Sequence, residues 1–352
     1  MVNKIVISTD IRKAVTEAVE AIEHDKLFLL TDETTERLCH PLIADIPCMK
    51  DAQSIVIGAT DTHKNLDTLA AVWTALGNGG GSRHSLMVNL GGGMVTDLGG
   101  FAASTFKRGI PYINIPTTLL SMVDASVGGK TGINFNGLKN EIGVFRTPET
   151  VIIDTEFLRT LDHENVCSGY AEMLKHGLIS SRSTLHASLS TLLAFNLDDV
   201  DYRLLGDMVG ESVAVKEQIV TEDPLEHGIR KALNLGHTVG HAFESWALTR
   251  KPVLHGYAVA WGLICELYLS VIKTGFPTDT MRQVVRFIKE NYGTLPITCD
   301  DYPELYELMT HDKKNADGII NFTLLGGIGD IRINQTATQE EIYETLDFFR
   351  EG

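Results

Sequence analysis

The stretch NLGHTVGHAFE places His237 and His241 four residues apart in a mostly apolar run. On a helix that spacing puts both imidazoles on one face, one turn apart, close enough to share an ion. Such a pair also serves as a hydrogen-bonded structural pair, and the two residues alone leave both roles open. His255 in VLHGYAVA and Glu172 in SGYAEMLKHGLI move the reading toward a metal. A carboxylate with two or three imidazoles is a catalytic zinc set that leaves positions free for substrate oxygens. At most three of the four groups would be ligands, which leaves one histidine to act as acid, base or phosphate donor.

The chain of 352 residues is acidic, with a formal net charge of −16. A nucleic-acid or anionic-membrane partner would need a basic face, so both are disfavoured. The cations nevertheless gather in motifs. RGIPYINIPTTLLSMVDASVGGKTGINFNGLKNEIG sets Arg108, Lys130, Lys139 and Asn140 among glycine turns, with Thr117 and Thr118 after a strand end and Asp124 between them. That composition suits either the floor of a polar pocket or a solvated loop. SGYAEMLKHGLI brings Glu172 and Lys175 to one helical face, three residues apart. Lys216 stands among apolar residues in AVKEQIV, Glu226, Arg230 and Asn234 precede the histidine pair, and HDKKN supplies Lys313 and Lys314. In an acidic protein, so many cations tied to glycine-rich or amphipathic motifs describe a local trap for an anion.

These groups need elements to position them. KLFLL (26–30), SIVIG (54–58), SLMVNLGGG (85–93), PYINIP (111–116) and TVIID (150–154) are short apolar runs. Helical patterns such as NLDTLAAVWTALG (65–77) lie between them. Strand-helix alternation predicts a Rossmann-like α/β domain with a parallel sheet, whose ligands sit beyond the carboxyl ends of the strands. In VNLGGGMVTDLGG, the glycines at 91–93 either let the backbone approach a phosphate at a helix N-terminus or simply make a tight turn. Asp97 follows one turn into that helix, and Asp32 stands where an acid often binds a ribose hydroxyl, although turns favour aspartate anyway. After about residue 155 long periodic apolar patterns take over, which predicts a mostly α-helical second domain. The expected division is 1–157 and 158–352, with the active site in a cleft between the two.

At 43% hydrophobic and 22% charged residues, the composition is that of a globular protein. Five scattered cysteines without a C-x-x-C pattern predict reduced, cytoplasmic thiols. The N-terminus lacks the apolar core of a signal peptide. GYAVAWGLICELYLSVI, broken by Glu266, is read as a buried helix that is too short to span a bilayer.

GGGMVTDLGGFAAS, RGIPYINIPTTLLSMVDASVGGKTGIN, GLKNEIGVF, GYAEMLKHGLI, LNLGHTVGHAFE, LHGYAVAWG and DKKNADGIINFTLLGGIG closely resemble the 3-dehydroquinate synthase family of sugar-phosphate cyclases. The match runs in order from about residue 27 to 330. The resemblance implies a fold shared with glycerol and iron-type alcohol dehydrogenases, which have metal histidines but not this whole lysine set. It further implies a cytoplasmic homodimer using NAD and a divalent metal, zinc or cobalt. The implied reaction converts a phosphorylated sugar acid, 3-deoxy-D-arabino-heptulosonate 7-phosphate, to 3-dehydroquinate and phosphate, in the shikimate pathway to chorismate and the aromatic amino acids.

By the same resemblance Glu172, His237 and His255 would be the metal ligands. Asp124, Lys130, Asn140, Lys175, Lys216, Arg230, Asn234, His241 and one of Lys313 and Lys314 would line the substrate site, with the ligands Glu172 and His255 beside them. Catalysis would fall to His241, Lys130, Lys175, Lys216, Arg230, Asn234 and Glu226, the last at a position assigned as a proton acceptor. Arg108 would reach the neighbouring subunit's site. Asp32, Asp61, Lys64, Gly92, Gly93, Met94, Asp97, Thr117, Thr118, Lys139, Phe157, Leu158, Arg159 and Thr160 would contact NAD. The chain departs from the family's frequent GEKYKNLET in reading TDTHKNLDT, with Asp61 and Thr62 in place of a glutamate and a lysine. The alternatives are a 2-epi-5-epi-valiolone or 2-deoxy-scyllo-inosose synthase, a glycerol-dehydrogenase-like oxidoreductase, and an inactive NAD- or metal-binding regulator.

Overall fold

A computed structural model describes residues 4–180, 188–310 and 319–352. The chain divides into two compact units, Met1–Asp162 and His163–Gly352.

The first unit runs β1 (Lys4–Ser8), α1 (Ile11–Glu20), β2 (Leu27–Asp32), α2 (Glu33–Leu38), β3 (Gln53–Ile57), α3 (Leu66–Asn78), β4 (Leu86–Gly91), α4 (Gly93–Thr105), β5 (Tyr112–Pro116), β6 (Lys130–Phe135), β7 (Leu138–Phe145) and β8 (Thr150–Asp154). Six strands form one parallel sheet in the order β1-β8-β5-β4-β2-β3. The inner strands β2, β4, β5 and β8 are buried throughout, as expected of apolar runs covered by helices on both faces. Edge strand β1 has no counterpart in the sequence reading, because its apolar run is only Ile5–Ile7 and half of Ile7 is exposed. From β2 the chain steps outward to β3, then returns past β2 to β4. The topology therefore reverses between β2 and β4, and their carboxyl ends, Asp32 and Gly91, flank the resulting crevice.

Helix α3 starts at Asn65, whose side chain accepts the Thr68 N–H at 2.9 Å, and buries Leu69, Val72 and Leu76 along one stripe. Helix α4 packs unusually tightly on the sheet. A Cβ at Gly99 would lie 2.2 Å from Asn89 Oδ1 of β4, so only glycine permits this approach. Strands β6 and β7, read from sequence only as a glycine-rich polar stretch, form an antiparallel hairpin. Its two-residue turn, Asn136-Gly137, has φ of 50° and 79°, as a type I′ turn requires.

The second unit contains α5 (His163–Ile179), α6 (Leu189–Ala194), α7 (Tyr202–Glu222), α8 (His237–Leu248), α9 (His255–Thr274), α10 (Thr278–Tyr292), α11 (Tyr302–Thr310), β9 (Asn321–Gly327), β10 (Asp330–Thr336) and α12 (Gln339–Glu351). The expected helical architecture is present. The β9–β10 hairpin is an addition that the helical patterns did not announce. Helix α9 is the centre, packed against α5, α8, α10, α12 and β9. It spans 20 residues, so the expectation that it is too short for a bilayer is corrected: length and composition would both allow a crossing. It is instead a core helix, with 72% of its most apolar window buried. Its approach to α8 is close enough that a Cβ at Gly262 would meet Gly236 O at 2.0 Å.

The contact at Gly99 gives a prediction with a sign. Glycine-to-alanine changes inside helices normally stabilise by up to about 1 kcal/mol, as expected for Gly77→Ala in α3, where a Cβ meets nothing within 4 Å. Gly99→Ala should instead destabilise by about 1–3 kcal/mol, because α4 or Asn89 must give way. Urea midpoints at constant slope measure both, and stabilisation by both substitutions would refute the close-packing argument.

Candidate active site

In the second unit, Glu172 lies in the middle of α5, completely buried. His237 and His255 are the first residues of α8 and α9. The Nε2 atoms of both imidazoles face Glu172 Oε1, each at 3.4 Å. One donor atom from each of the three residues lies within 4.8 Å of the others. Neither oxygen of Glu172 makes a hydrogen bond of ordinary geometry, and Lys175 Nζ is the ionic neighbour of Oε2. A buried carboxylate held this way, with two imidazole nitrogens aimed at its other oxygen, fits a divalent cation.

The remaining ring nitrogens fix the orientation. His237 Nδ1 lies 3.0 Å from the Leu235 carbonyl, which can only accept, so Nδ1 carries the proton and Nε2 presents its lone pair. His255 Nδ1 lies 3.2 Å from Glu244 Oε2, which selects the same arrangement. Burial opposes charge on Glu172, but Lys175 and then His237 hold its carboxyl well below the usual range. Burial, reinforced by Lys175, pushes His237 down to about 3. Burial also opposes charge on His255, yet Glu244 and Glu172 outweigh it and raise the imidazole to about 10. Without a cation the centre thus favours a proton on His255 and keeps His237 neutral; a metal binding there would have to displace the His255 proton, since a ligating imidazole must be neutral.

His241 completes the imidazole cluster, with ring centroids 5.3 Å from His237 and 6.0 Å from His255. Its donor atoms are not among the three that converge. Lys175 and Lys216 are buried on α5 and α7. Arg230, also buried, belongs to the short helical turn Ile229–Asn234 and donates to the Pro224 carbonyl at 2.6 Å. Asn234, in the same turn, donates to Glu226 Oε1 at 2.9 Å. Lys313 and Lys314 lie outside the described residues.

The first unit holds a second constellation. Gly92 is the N-cap of α4, and no side chain caps that helix, so its first N–H groups point from the carboxyl end of β4 toward the crevice. Met94 and Asp97 lie in the first turns. Asp32 bonds the N–H groups of Thr34 and Thr35 through Oδ1, each at 2.8 Å, so it caps α2 whatever else it does. Thr117 donates its N–H to the Gly91 carbonyl, and Thr118 follows it. Buried Lys64 bonds Asp97 Oδ2 and Asn140 Oδ1, each at 2.5 Å. Lys139 pairs with Asp61 at 3.6 Å. Phe157 and Leu158 bury their side chains, Arg159 pairs with Glu156, and Thr160 is part-buried, so a ligand there would meet backbone more than side chains. Asp124 is part-buried, whereas Lys130 and Arg108 are exposed.

Three residues escaped the sequence reading. Asn134 donates to Asp61 Oδ2 at 3.0 Å and accepts the Asn140 N–H at 2.9 Å, which ties the hairpin to the Asp61–Lys64 turn. Glu244 orients His255, and Glu266 accepts backbone N–H groups at the start of α8. The Asn-Gly turn was the available signal for the hairpin. Glu244 and Glu266 gave only that of charges inside apolar helices.

Comparison with known proteins supplies the family. Models described as 3-dehydroquinate synthase N-terminal and C-terminal match residues 54–168 and 169–315. The 3-dehydroquinate synthase of Parabacteroides distasonis is 57% identical over 350 residues, covering 99% of this chain and 98% of that protein. Among solved structures, 2-epi-5-epi-valiolone synthase from Streptomyces hygroscopicus, with NAD+ and Zn2+ bound, superposes with a TM-score of 0.82 at 26% identity, covering 100% and 97% of the two chains. A 2-deoxy-scyllo-inosose synthase complexed with carbaglucose-6-phosphate, NAD+ and Co2+ shares the fold, with a TM-score of 0.84 at 22% identity and coverage of 99% and 96%. With matching models over most of its length and a relative more than half identical from end to end, the chain belongs to the 3-dehydroquinate synthase family.

Proposed function

We propose that this protein is a lyase that converts 3-deoxy-D-arabino-heptulosonate 7-phosphate to 3-dehydroquinate and phosphate, using NAD catalytically and one zinc or cobalt ion per chain. We assign NAD to the first unit, with the residues named for it above, and the metal to Glu172, His237 and His255. The observation that carries the reading is that buried ligand set, flanked by Lys175 and His241 in a chain of this family. We further propose a cytoplasmic homodimer.

When bound, the metal supplies Lewis-acid polarisation of the reacting oxygen and NAD takes and returns a hydride. The chain's own groups do the rest. Arg230, Lys216, Asn140 and Asn234 hold the substrate carboxylate and hydroxyls, and their number favours an acid over a neutral sugar. Lys130, Lys175, Asp124, one of Lys313 and Lys314, and the partner copy's arginine at position 108 orient the remaining oxygens and the phosphate. Once the neighbouring alcohol is a ketone, the adjacent C–H is acidic. Its proton passes to the departing phosphate or to His241, the C–O bond breaks, and phosphate leaves. Glu226 holds Asn234 through one amide hydrogen and accepts a proton in later steps.

A phosphate-release assay with the heptulosonate phosphate tests the reading, and no release would refute it. Chelation should abolish turnover and zinc or cobalt should restore it, whereas His237→Ala should bind no metal and recover nothing. Turnover by thoroughly metal-free protein would overturn the ligand assignment.

Turnover should also require NAD while reduced nicotinamide, followed by its absorbance, stays at a trace. Reduced cofactor accumulating in step with product would mean a dehydrogenase instead.

Arg108 has φ of 70° in an exposed kink between α4 and β5, where an arginine also serves as a plain surface charge. If it acts in trans, Arg108→Ala and Lys130→Ala are each nearly inactive alone. Coexpressed, they recover roughly a quarter of wild-type activity, because random pairing makes half the dimers mixed and each mixed dimer has one intact site. No recovery places Arg108 in its own chain's site, and a fully active Arg108→Ala makes it a surface charge.

A further inference from the structure

The structure assigns to Glu244 and Glu266 a reciprocal positioning role: each holds in place the candidate metal-ligand histidine carried by the other's helix. Glu244 lies on α8 with His237, and Glu266 lies on α9 with His255. Across the gap, Glu244 Oε2 takes the Nδ1–H of His255 at 3.2 Å. In the opposite direction, Glu266 Oε2 accepts the Gly236 N–H at 2.6 Å, and its Oε1 accepts those of Thr238 at 2.9 Å and Val239 at 3.2 Å. These amides bracket His237. They need an acceptor, because the N-cap of α8 is Gly236, left-handed at φ 80°, and no side chain of α8 caps its own N-terminus. A carboxylate there also complements the positive end of the helix. Glu266 is completely buried and Glu244 nearly so, which fixes both acceptors.

Each helix therefore contributes one imidazole to the centre and one carboxylate that holds the other helix's imidazole. Displacing α8 by an ångström would move His237 and the partner of His255 together. Outer carboxylates that orient a ligand through its second ring nitrogen commonly set metal affinity. Glu266 reaches the same end through the backbone on either side of the ligand.

This inference rests on the metal reading above, and the test separates the two. Full-length wild type, Glu244→Gln and Glu266→Gln are prepared metal-free and checked for folding by circular dichroism. Zinc affinity is then measured by competition with a chromophoric chelator, and the cobalt-loaded forms by their ligand-field absorption. Both glutamine variants should bind zinc about 10–100-fold more weakly than wild type and show altered cobalt bands. If Glu266→Gln does not fold without metal, Glu266→Asp is measured instead, which keeps the charge but cannot span all three amides and should also bind more weakly. Wild-type affinity and bands in both variants, with only a lower melting temperature, would make the two glutamates merely structural. A loss in one variant alone would overturn the reciprocity. A wild type that binds neither ion would overturn the metal reading itself.

Discussion

A carboxylate at the centre of a helix-packed unit, with no water to solvate it, is the constraint on which the rest depends. Stripping an ion of water costs on the order of several kcal/mol even after relaxation, unless opposite charge and hydrogen bonds replace the water. Glu172 meets that cost by facing Lys175 with one oxygen and, with the other, the His255 imidazole, whose proton a bound cation would replace. The imidazoles can face it only if their other nitrogens are occupied, by the Leu235 carbonyl and by Glu244. The Leu235 carbonyl is local to His237, but Glu244 can reach His255 only if α8 and α9 sit closely, which glycine at 262 allows. The charge requirement thus propagates outward from one residue to helix spacing, and an ion added at the centre would meet donors already turned toward it.

The first unit obeys a different constraint. Its crevice follows from chain topology: a sheet whose order reverses between β2 and β4 leaves room at the carboxyl ends that no crossover helix can fill. Asp32 and the Gly91–Gly93 turn face that room by position alone. The charges near it are internally compensated, since Lys64 is held between Asp97 and Asn140 and Lys139 beside Asp61. This network restrains the β6–β7 hairpin, and Asn134 supplies the bonds that make hairpin and turn one body.

Most of the architecture was legible where one face of an element is buried for its whole length. The inner strands, buried on both faces, follow from continuous apolar runs, and the long helices from their period. What escaped has physical causes. Strand β1 is an edge with a three-residue apolar core, too short to carry a period. The β6–β7 hairpin has β7 exposed on both faces, so no alternation marks it, although its Asn-Gly turn did. At the centre, residue types and spacing pointed to four groups, Glu172, His237, His241 and His255, because ligands must be acids or imidazoles, and only the family resemblance set His241 apart from the other three. The spacing did not show why His241, on the same face as His237, stands outside the converging set. Glu244 and Glu266 were illegible for a related reason: their partners are 11 residues away in one case and near 28 in the other, fixed by packing.

The division between rigid and adaptable parts follows from which elements carry each group. Glu172 sits mid-helix, and the histidines open two helices that clamp each other, so those donor atoms cannot move without moving the core. Arg230 and Asn234 ride instead on a six-residue turn, and Asn140 on an exposed hairpin with φ of 50°. A turn is held by a few hydrogen bonds, here from Arg230 to Asp223 and Pro224 and from Asn234 to Glu226. Under the proposed roles, a substitution at exposed Asn140 would alter anion recognition at less cost to the fold than one at buried Arg230 or at the proposed ligand set, where a buried charge balance is lost as well. On the proposed reading, such a scaffold would hold its metal ligands fixed while the groups proposed to read the substrate sit on turns and a hairpin outside the helical clamp.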